Sequence, residues 1–285
     1  MITILEYFLL VLTIAYAAGF IGALVGMGGG VIISPVLTLL FGVPVAIAAG
    51  ASLLAVIGTS SGAGFTAYGK NTPANYRIGL LLMTVSTVGA IIGAVTTVFL
   101  SKSIRSEWII YIIFGVAMMA CAAALFRSKT EEDADQAIKD PLATKLNLHS
   151  SYYEESTKKR ITYYPRNIPF GMGLNFVAGI LGGMFGIGGG AFNNISMNGI
   201  MKFPMKVSAA TSNLINGVTA ASSFGVYYLT GNVYPLIAVP AVIGIILGSI
   251  SGRRVLSKAK TPVVRFVFIA ILVAIGVEMI MKGVA

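Results

Sequence analysis

Residues 19–35 read GFIGALVGMGGGVIISP and residues 179–194 read GILGGMFGIGGGAFNN. At an offset of 160, Gly19, Gly22, Gly26, Gly28, Gly29 and Gly30 match Gly179, Gly182, Gly186, Gly188, Gly189 and Gly190. The same offset pairs Pro44 with Pro204, Ser52 with Ser212, Thr59 with Thr219, and Tyr68 with Tyr228. At loops the register slips, so that Gly89 and Gly93 answer to Gly244 and Gly248, and Gly115 to Gly276. The chain is an internal duplication, and fused halves of this kind are a common build among transporters.

The solvent of the two halves follows from composition. Of the 285 residues 56% are hydrophobic and 11% charged, with mean hydropathy +0.87. A water-facing domain carries about 25% charged residues, so lipid must be the solvent here. Apolar runs approaching or exceeding the ~20 residues that cross a bilayer fall at 4–25, 44–67, 78–100, 108–126, 207–228, 235–250 and 263–281. Two shorter pieces, 31–41 and 191–201, each follow a glycine cluster and are too short to span. No Lys or Arg precedes the first run, which is therefore read as a retained segment.

Between the halves, residues 128–167 hold seven of the ten acidic residues and read as a solvated connector. Two segments in it, 150–153 and 161–164, flank a polar turn; a short hairpin and a loosely ordered loop are both open. The domain reading is a first membrane repeat at 1–127, the connector at 128–167 and a second repeat at 168–285.

Charge chooses the number of crossings. If each half is a hairpin that enters and leaves by one face, followed by three spans, the halves are inverted. Seventeen of the twenty Lys and Arg then share one side, and only Lys102, Arg105 and Lys282 take the other. An even number of crossings per half erases that bias. Cytoplasmic loops collect Lys and Arg, so the inverted arrangement is favoured, with the connector cytoplasmic and both termini outside. The net charge of +10 becomes an orientation signal, and no nucleic-acid partner is expected. The fold class is an all-α polytopic membrane protein of two inverted repeats, each a glycine-tipped re-entrant hairpin plus three transmembrane helices.

Glycine clusters deep in apolar sequence break a helix where hydrocarbon cannot satisfy the freed backbone, so the break must be buried in protein or line a wet cavity. A short helix follows each cluster, and its open N–H groups and positive dipole end point back at the turn. That makes an anion site without Lys or Arg. Close helix packing through small residues is the competing use of the same glycines. A dinucleotide fingerprint is disfavoured, because no strand and helix alternation surrounds them.

On these two glycine-rich stretches the chain resembles the sulfite exporter TauE/SafE family of membrane permeases, over nearly its whole length apart from the connector. The resemblance implies a prokaryotic inner-membrane permease for sulfite, sulfonates or related sulfur and carboxylate anions.

The candidate substrate-binding residues are Gly28, Gly29, Gly30, Ser34, Ser52 and Thr59 in the first half. In the second half they are Gly188, Gly189, Gly190, Asn193, Asn194, Ser212, Asn213, Asn216 and Thr219. Ser52 and Thr59, like Ser212 and Thr219, are seven apart and share a helix face. Asn213 and Asn216 face Leu53 and Val56 at the repeat offset, so a symmetric frame holds a site more polar on its second side. Interhelical hydrogen bonding is the other use for each amide.

Neither a catalytic constellation nor a cofactor or metal motif is found: no paired intramembrane acids, no nucleophile with a histidine partner, no metal-ligand grouping. Cys121 sits among alanines and reads as packing, and His149 lies in the connector. Glu6 and Glu107 stand near segment ends, and Glu278 is four residues from Lys282, the spacing of a helix-surface ion pair. The expected partners are a small inorganic or organic anion and the bilayer, and a homo-oligomer is compatible with the sequence.

Overall fold

A computed structural model of the chain describes residues 3–25, 29–67, 74–102, 107–127, 140–154, 159–256 and 261–284. The first half contains α1 (Ile4–Val25), α2 (Gly30–Leu40), α3 (Val45–Ala67), α4 (Tyr76–Ser101) and α5 (Glu107–Arg127). The connector contributes α6 (Pro141–Lys145) and the strands β1 (Ser150–Glu154) and β2 (Lys159–Tyr163). The second half repeats the series as α7 (Ile168–Phe185), α8 (Gly190–Ile195) running into a π-helical turn (Ser196–Ile200), α9 (Met205–Leu229), α10 (Pro235–Leu256) and α11 (Thr261–Val284).

Among the described residues, Ile4–Ala23, Tyr76–Ser101, Ile168–Phe185 and Pro235–Gly252 are long and apolar enough to cross a membrane, and Gly30–Leu40, Val45–Ser60 and Trp108–Ala124 are shorter apolar helices. The outward surface is apolar as well: Phe99, Phe126, Phe170 and Phe266 are all exposed. Large apolar side chains facing outward all round a helical body fit a lipid solvent. The chain is an all-α polytopic membrane protein, with one small hairpin in the connector. Helix α7 falls outside the seven apolar runs; Asn175 and five glycines interrupt its apolar sequence, so only the repeat points to it.

In each half the glycine turn folds a helix back on itself. A Cβ built on Gly29 would lie 2.9 Å from Ala18 O, and one on Gly189 would lie 3.0 Å from Ala178 O, the same contact at an offset of 160. The open ends also meet. Tyr7 and Phe41 pack edge to face at 5.3 Å, and Arg166 N donates to Met201 O at 3.0 Å. Each long helix and its short partner therefore form an antiparallel hairpin.

Glycines set the remaining contacts by letting backbones touch. Along α1 and α10, Gly244 meets Leu12 and Gly252 meets Phe20, so the pair is parallel; Gly89 on Phe176 and Gly93 on Ile180 make α4 and α7 parallel too. Helices equivalent in the repeat do the opposite. Gly50 sits at Tyr227 while Gly217 sits at Ser60, so α3 and α9 are antiparallel. Gly115 faces Gly276 and Gly283 faces Trp108, so α5 and α11 are antiparallel as well.

The two hairpins open on different ends of the molecule. The first opens beside Tyr234 and Ile237 at the start of α10 and beside Lys282 at the end of α11. The ammonium of Lys282 donates to Thr38 O at 2.9 Å and lies 5.3 Å from the Tyr111 ring centroid. The expected Glu278–Lys282 pair is thus replaced: a backbone carbonyl and a ring within reach compete with an exposed carboxylate whose attraction water screens.

The second hairpin opens under the connector. Strands β1 and β2 pair antiparallel with Ser150 opposite Tyr163 and Tyr152 opposite Ile161, so the hairpin forms. Ala143, Leu148 and Tyr163 are buried against Ile78, Ile168, Met197, Met201 and Phe203. Asn75 pins the arrangement: its side chain donates to Leu148 O at 2.9 Å and Tyr163 Oη at 3.1 Å, and its Oδ1 accepts from Ile78 N at the start of α4.

Candidate functional site

Where both glycine turns are described they differ: Gly29 has φ −76° and Gly189 has φ 80°. In the second, Gly186, Gly188 and Gly189 all have positive φ (73°, 69° and 80°), a conformation costly for any residue with a Cβ. Gly186 caps α7, and the N–H groups of Ile187 and Gly188 bond Gly182 O at 3.0 and 3.3 Å. Further carbonyls at the end of α7 are met by side chains: Thr97 Oγ1 donates to Met184 O, and the Tyr227 hydroxyl lies 2.9 and 3.0 Å from Gly183 O and Met184 O.

Helix α8 then starts at Gly189 without a side-chain cap, and its first internal bond is Asn193 N to Gly189 O at 2.9 Å. The amides of Gly190, Ala191 and Phe192 precede that bond and have no acceptor within the helix. Helix α2 starts likewise at Gly29, uncapped by any side chain, with Ile32 N and Ile33 N on Gly29 O. Gly28 lies outside the described residues.

The two turns touch. A Cβ on Gly30 would lie 3.3 Å from Gly186 O and 3.2 Å from Ser52 Oγ, and would collide with the Val56 side chain. Ser52 Oγ donates to Gly30 O at 3.1 Å, and Ser212 Oγ donates to Gly190 O at 3.0 Å. These two serines hold the first residue of each short helix to the neighbouring span. Thr59 and Thr219 are buried and give their protons to their own helices, at Val56 O and Ile215 O. Ser34 is buried on α2 and Asn213 half-buried on α9.

The amides behave otherwise. Asn193 Nδ2 donates to Asn216 Oδ1 at 3.0 Å, with both residues at most 1% exposed. Asn193 Oδ1 and Asn216 Nδ2 are left without a partner, as is Asn194 Oδ1. Exchanging O and N in both amides leaves the same surplus, one acceptor and one donor. A buried polar atom without a partner costs about 1–3 kcal/mol, so this pair is poised for a further polar group.

Asn175 and Ser196 form a second polar pair that the spacing of residues does not bring together. Asn175 Nδ2 reaches Ser196 Oγ at 2.7 Å and Gly171 O at 2.9 Å, while its Oδ1 is unpartnered. A lone amide in an otherwise apolar run, opposite Ala15 at the repeat offset, was the available signal. The adjacent π-helical turn has no counterpart in α2, which is α-helical over its described length; such turns are frequent at functional sites.

Comparison with known proteins follows the same lines. The family description "Sulfite exporter TauE/SafE" matches residues 11–279. The chain is 29% identical over 285 residues to the probable membrane transporter protein YunE of Bacillus subtilis (strain 168), covering 97% of this chain and 98% of that one. It is 25% identical over 247 residues to the probable membrane transporter protein YdhB of the same organism, covering 86% and 89%. A probable membrane transporter protein of Methanocaldococcus jannaschii, MJ0441, is 27% identical over 290 aligned positions, covering 95% of each. No solved structure matches the chain.

Proposed function

The chain belongs to the sulfite exporter TauE/SafE family of membrane transporters, and from that premise we propose that it is a secondary carrier, working as an exporter, of a small sulfur oxyanion or organosulfonate. The observation that carries this reading is the meeting of the two glycine turns, where Gly30 at the uncapped start of α2 lies against Gly186 O and Asn216 stands beside Gly188. Backbone N–H groups and a positive helix end favour negative charge without a cation on the protein.

The antiparallel passage of α3 past α9 and of α5 past α11 supports inverted repeats, and the two hairpins support re-entrant arms whose tips meet near the midplane. Basic residues put the connector in the cytoplasm of a prokaryotic cell and both termini outside the inner membrane. An anion leaving a negative interior gains about 2.3 kcal/mol per charge per 100 mV, so export runs without a coupling ion. The protein acts as a carrier and performs no covalent chemistry on its cargo.

The test is a thermal-shift panel of sulfite, methanesulfonate, thiosulfate and short carboxylates, followed by flux of the best hit in proteoliposomes. A saturable flux that responds to imposed voltage is expected; flux indifferent to voltage overturns electrogenic export, and non-saturable flux indicates a channel. Gly188→Val, which puts a side chain at a φ of +69° and 2.8 Å from Val56 Cγ1, is expected to abolish the anion-induced shift while the protein is still expressed. An unchanged shift overturns the turn as the binding element.

A further inference from the structure

A cavity of about 730 Å³ lies where the connector joins the second repeat, between Leu142 at the start of α6 and Pro169 and Phe170 in the first turn of α7. Helix α7 is long and apolar enough to cross the membrane, so its first turn stands at the level of the lipid headgroups. Arg166 lines the cavity and is half-buried. Its main-chain N–H goes to Met201 O, and its guanidinium pairs with no described residue. Asp140 lines the same cavity but turns its carboxylate to backbone: Oδ1 accepts from Leu142 N and Ala143 N, and Oδ2 from Ile168 N at 3.1 Å. Lys202, exposed, follows Met201 in the chain, and Lys145, also exposed, ends α6 about 6 Å along its axis from Pro141. Three cations thus stand around one carboxylate that is already engaged. The apolar side of the cavity runs on along α7, where Phe170, Gly173 and Val177 are exposed and, three and seven residues apart, share one face. A Cβ on Gly173 would meet nothing within 4 Å, so that face is notched between its two larger side chains.

We propose that this cavity binds one anionic phospholipid, with its phosphate at Arg166 and an acyl chain along the notch at Gly173. A guanidinium is the planar, weakly hydrated cation that meets phosphate oxygens with paired N–H groups. Phosphatidylglycerol brings a negative headgroup to the three cations, whereas phosphatidylcholine brings a further cation beside its phosphate. Free phosphate uses the cations and leaves the notch empty, so the apolar half of the site selects a lipid. A lipid seated here touches both α6 and α7, the two elements that Asp140 already ties together. The site is separate from the glycine turns and does not depend on what the protein carries.

The chain's one tryptophan is Trp108, so Trp108→Phe combined with Phe170→Trp puts a single fluorophore on the cavity rim. The purified full chain carrying this pair is reconstituted in phosphatidylcholine, and its quenching by phosphatidylglycerol brominated on the acyl chains is compared with quenching by brominated phosphatidylcholine. Phosphatidylglycerol is expected to bind about fivefold more tightly. Adding Arg166→Gln should bring the two lipids to parity, while Arg166→Lys, which keeps the charge, should retain most of the preference. Equal quenching without the Arg166 change, or a preference that survives Arg166→Gln, overturns the site and leaves the carrier reading untouched. Inorganic phosphate that erases the preference at matched ionic strength identifies a soluble anion as the occupant and overturns the lipid. If Arg166→Gln does not fold, Lys202→Gln decides: it is expected to lower the preference, and a preference it leaves unmoved overturns the proposal.

Discussion

A left-handed backbone position tolerates a side chain or refuses it according to what stands next to it. Gly42 has φ +63° and a Cβ there would meet nothing within 4 Å, and its repeat partner Lys202 holds φ +59° with a full side chain. Gly186 has φ +73°, but a Cβ there would run into the main chain of Ala49. Gly42→Ala is expected to cost only the backbone term, about 1–2 kcal/mol. Gly186→Ala adds overpacking against backbone, for a total of about 3 kcal/mol or more. Thermal denaturation in detergent separates them; equal losses would mean that the close approach of α3 does not hold the second turn. At this scale residue type points to place and leaves the hydrogen-bond partner open. Ser52 and Ser212 are where the duplication put them, but their protons go to Gly30 O and Gly190 O, a destination that no spacing rule reveals.

The connector is the element whose behaviour departs most from its composition. Its charge reads as a solvated loop, yet Ala143, Leu148 and Tyr163 are buried on the open end of the second hairpin, tied there by Asn75. Burial pushes the Tyr163 phenol above its ordinary value of 10, and the hydrogen bonds from Asn75 and Ser150 oppose that rise. A raised value means that the docked state favours the neutral phenol. Its contribution is full below pH 10 and is lost as pH climbs through the higher docked value. Proteolysis of residues 140–167 is therefore expected to accelerate in that alkaline range, and Tyr163→Phe to remove the acceleration. Asn75→Ala should raise cleavage already at neutral pH, because Leu148 O loses its donor at about 1–3 kcal/mol. Cleavage indifferent to both changes would show that docking does not depend on this contact.

For the whole molecule the property that decides topology is the direction of each helix. Loops near Lys145 and loops near Thr230 lie at opposite ends of the helical body, the first under the second hairpin and the second beside α10's start. The native Cys121 is buried, so single added cysteines report cleanly. Lys145→Cys is expected to react with an impermeant maleimide only from the cytoplasmic side, and Thr230→Cys only from outside. Labelling of both from one side would reject the inverted arrangement.

The sequence by itself determined the lipid solvent, the duplication, the two helix-breaking turns and the greater polarity of the second half, because each of these is a property of which residue types recur at which interval. Only the tertiary structure decided that Val56 stands between the turns, that Asn193 and Asn216 pair and leave one donor and one acceptor spare, and that Lys282 turns to Thr38. The physical reason is range. Hydropathy and glycine spacing act within a helix or a turn, whereas a hydrogen bond or a packing contact takes whichever partner the fold brings within a few ångströms, 244 residues away in the case of Lys282.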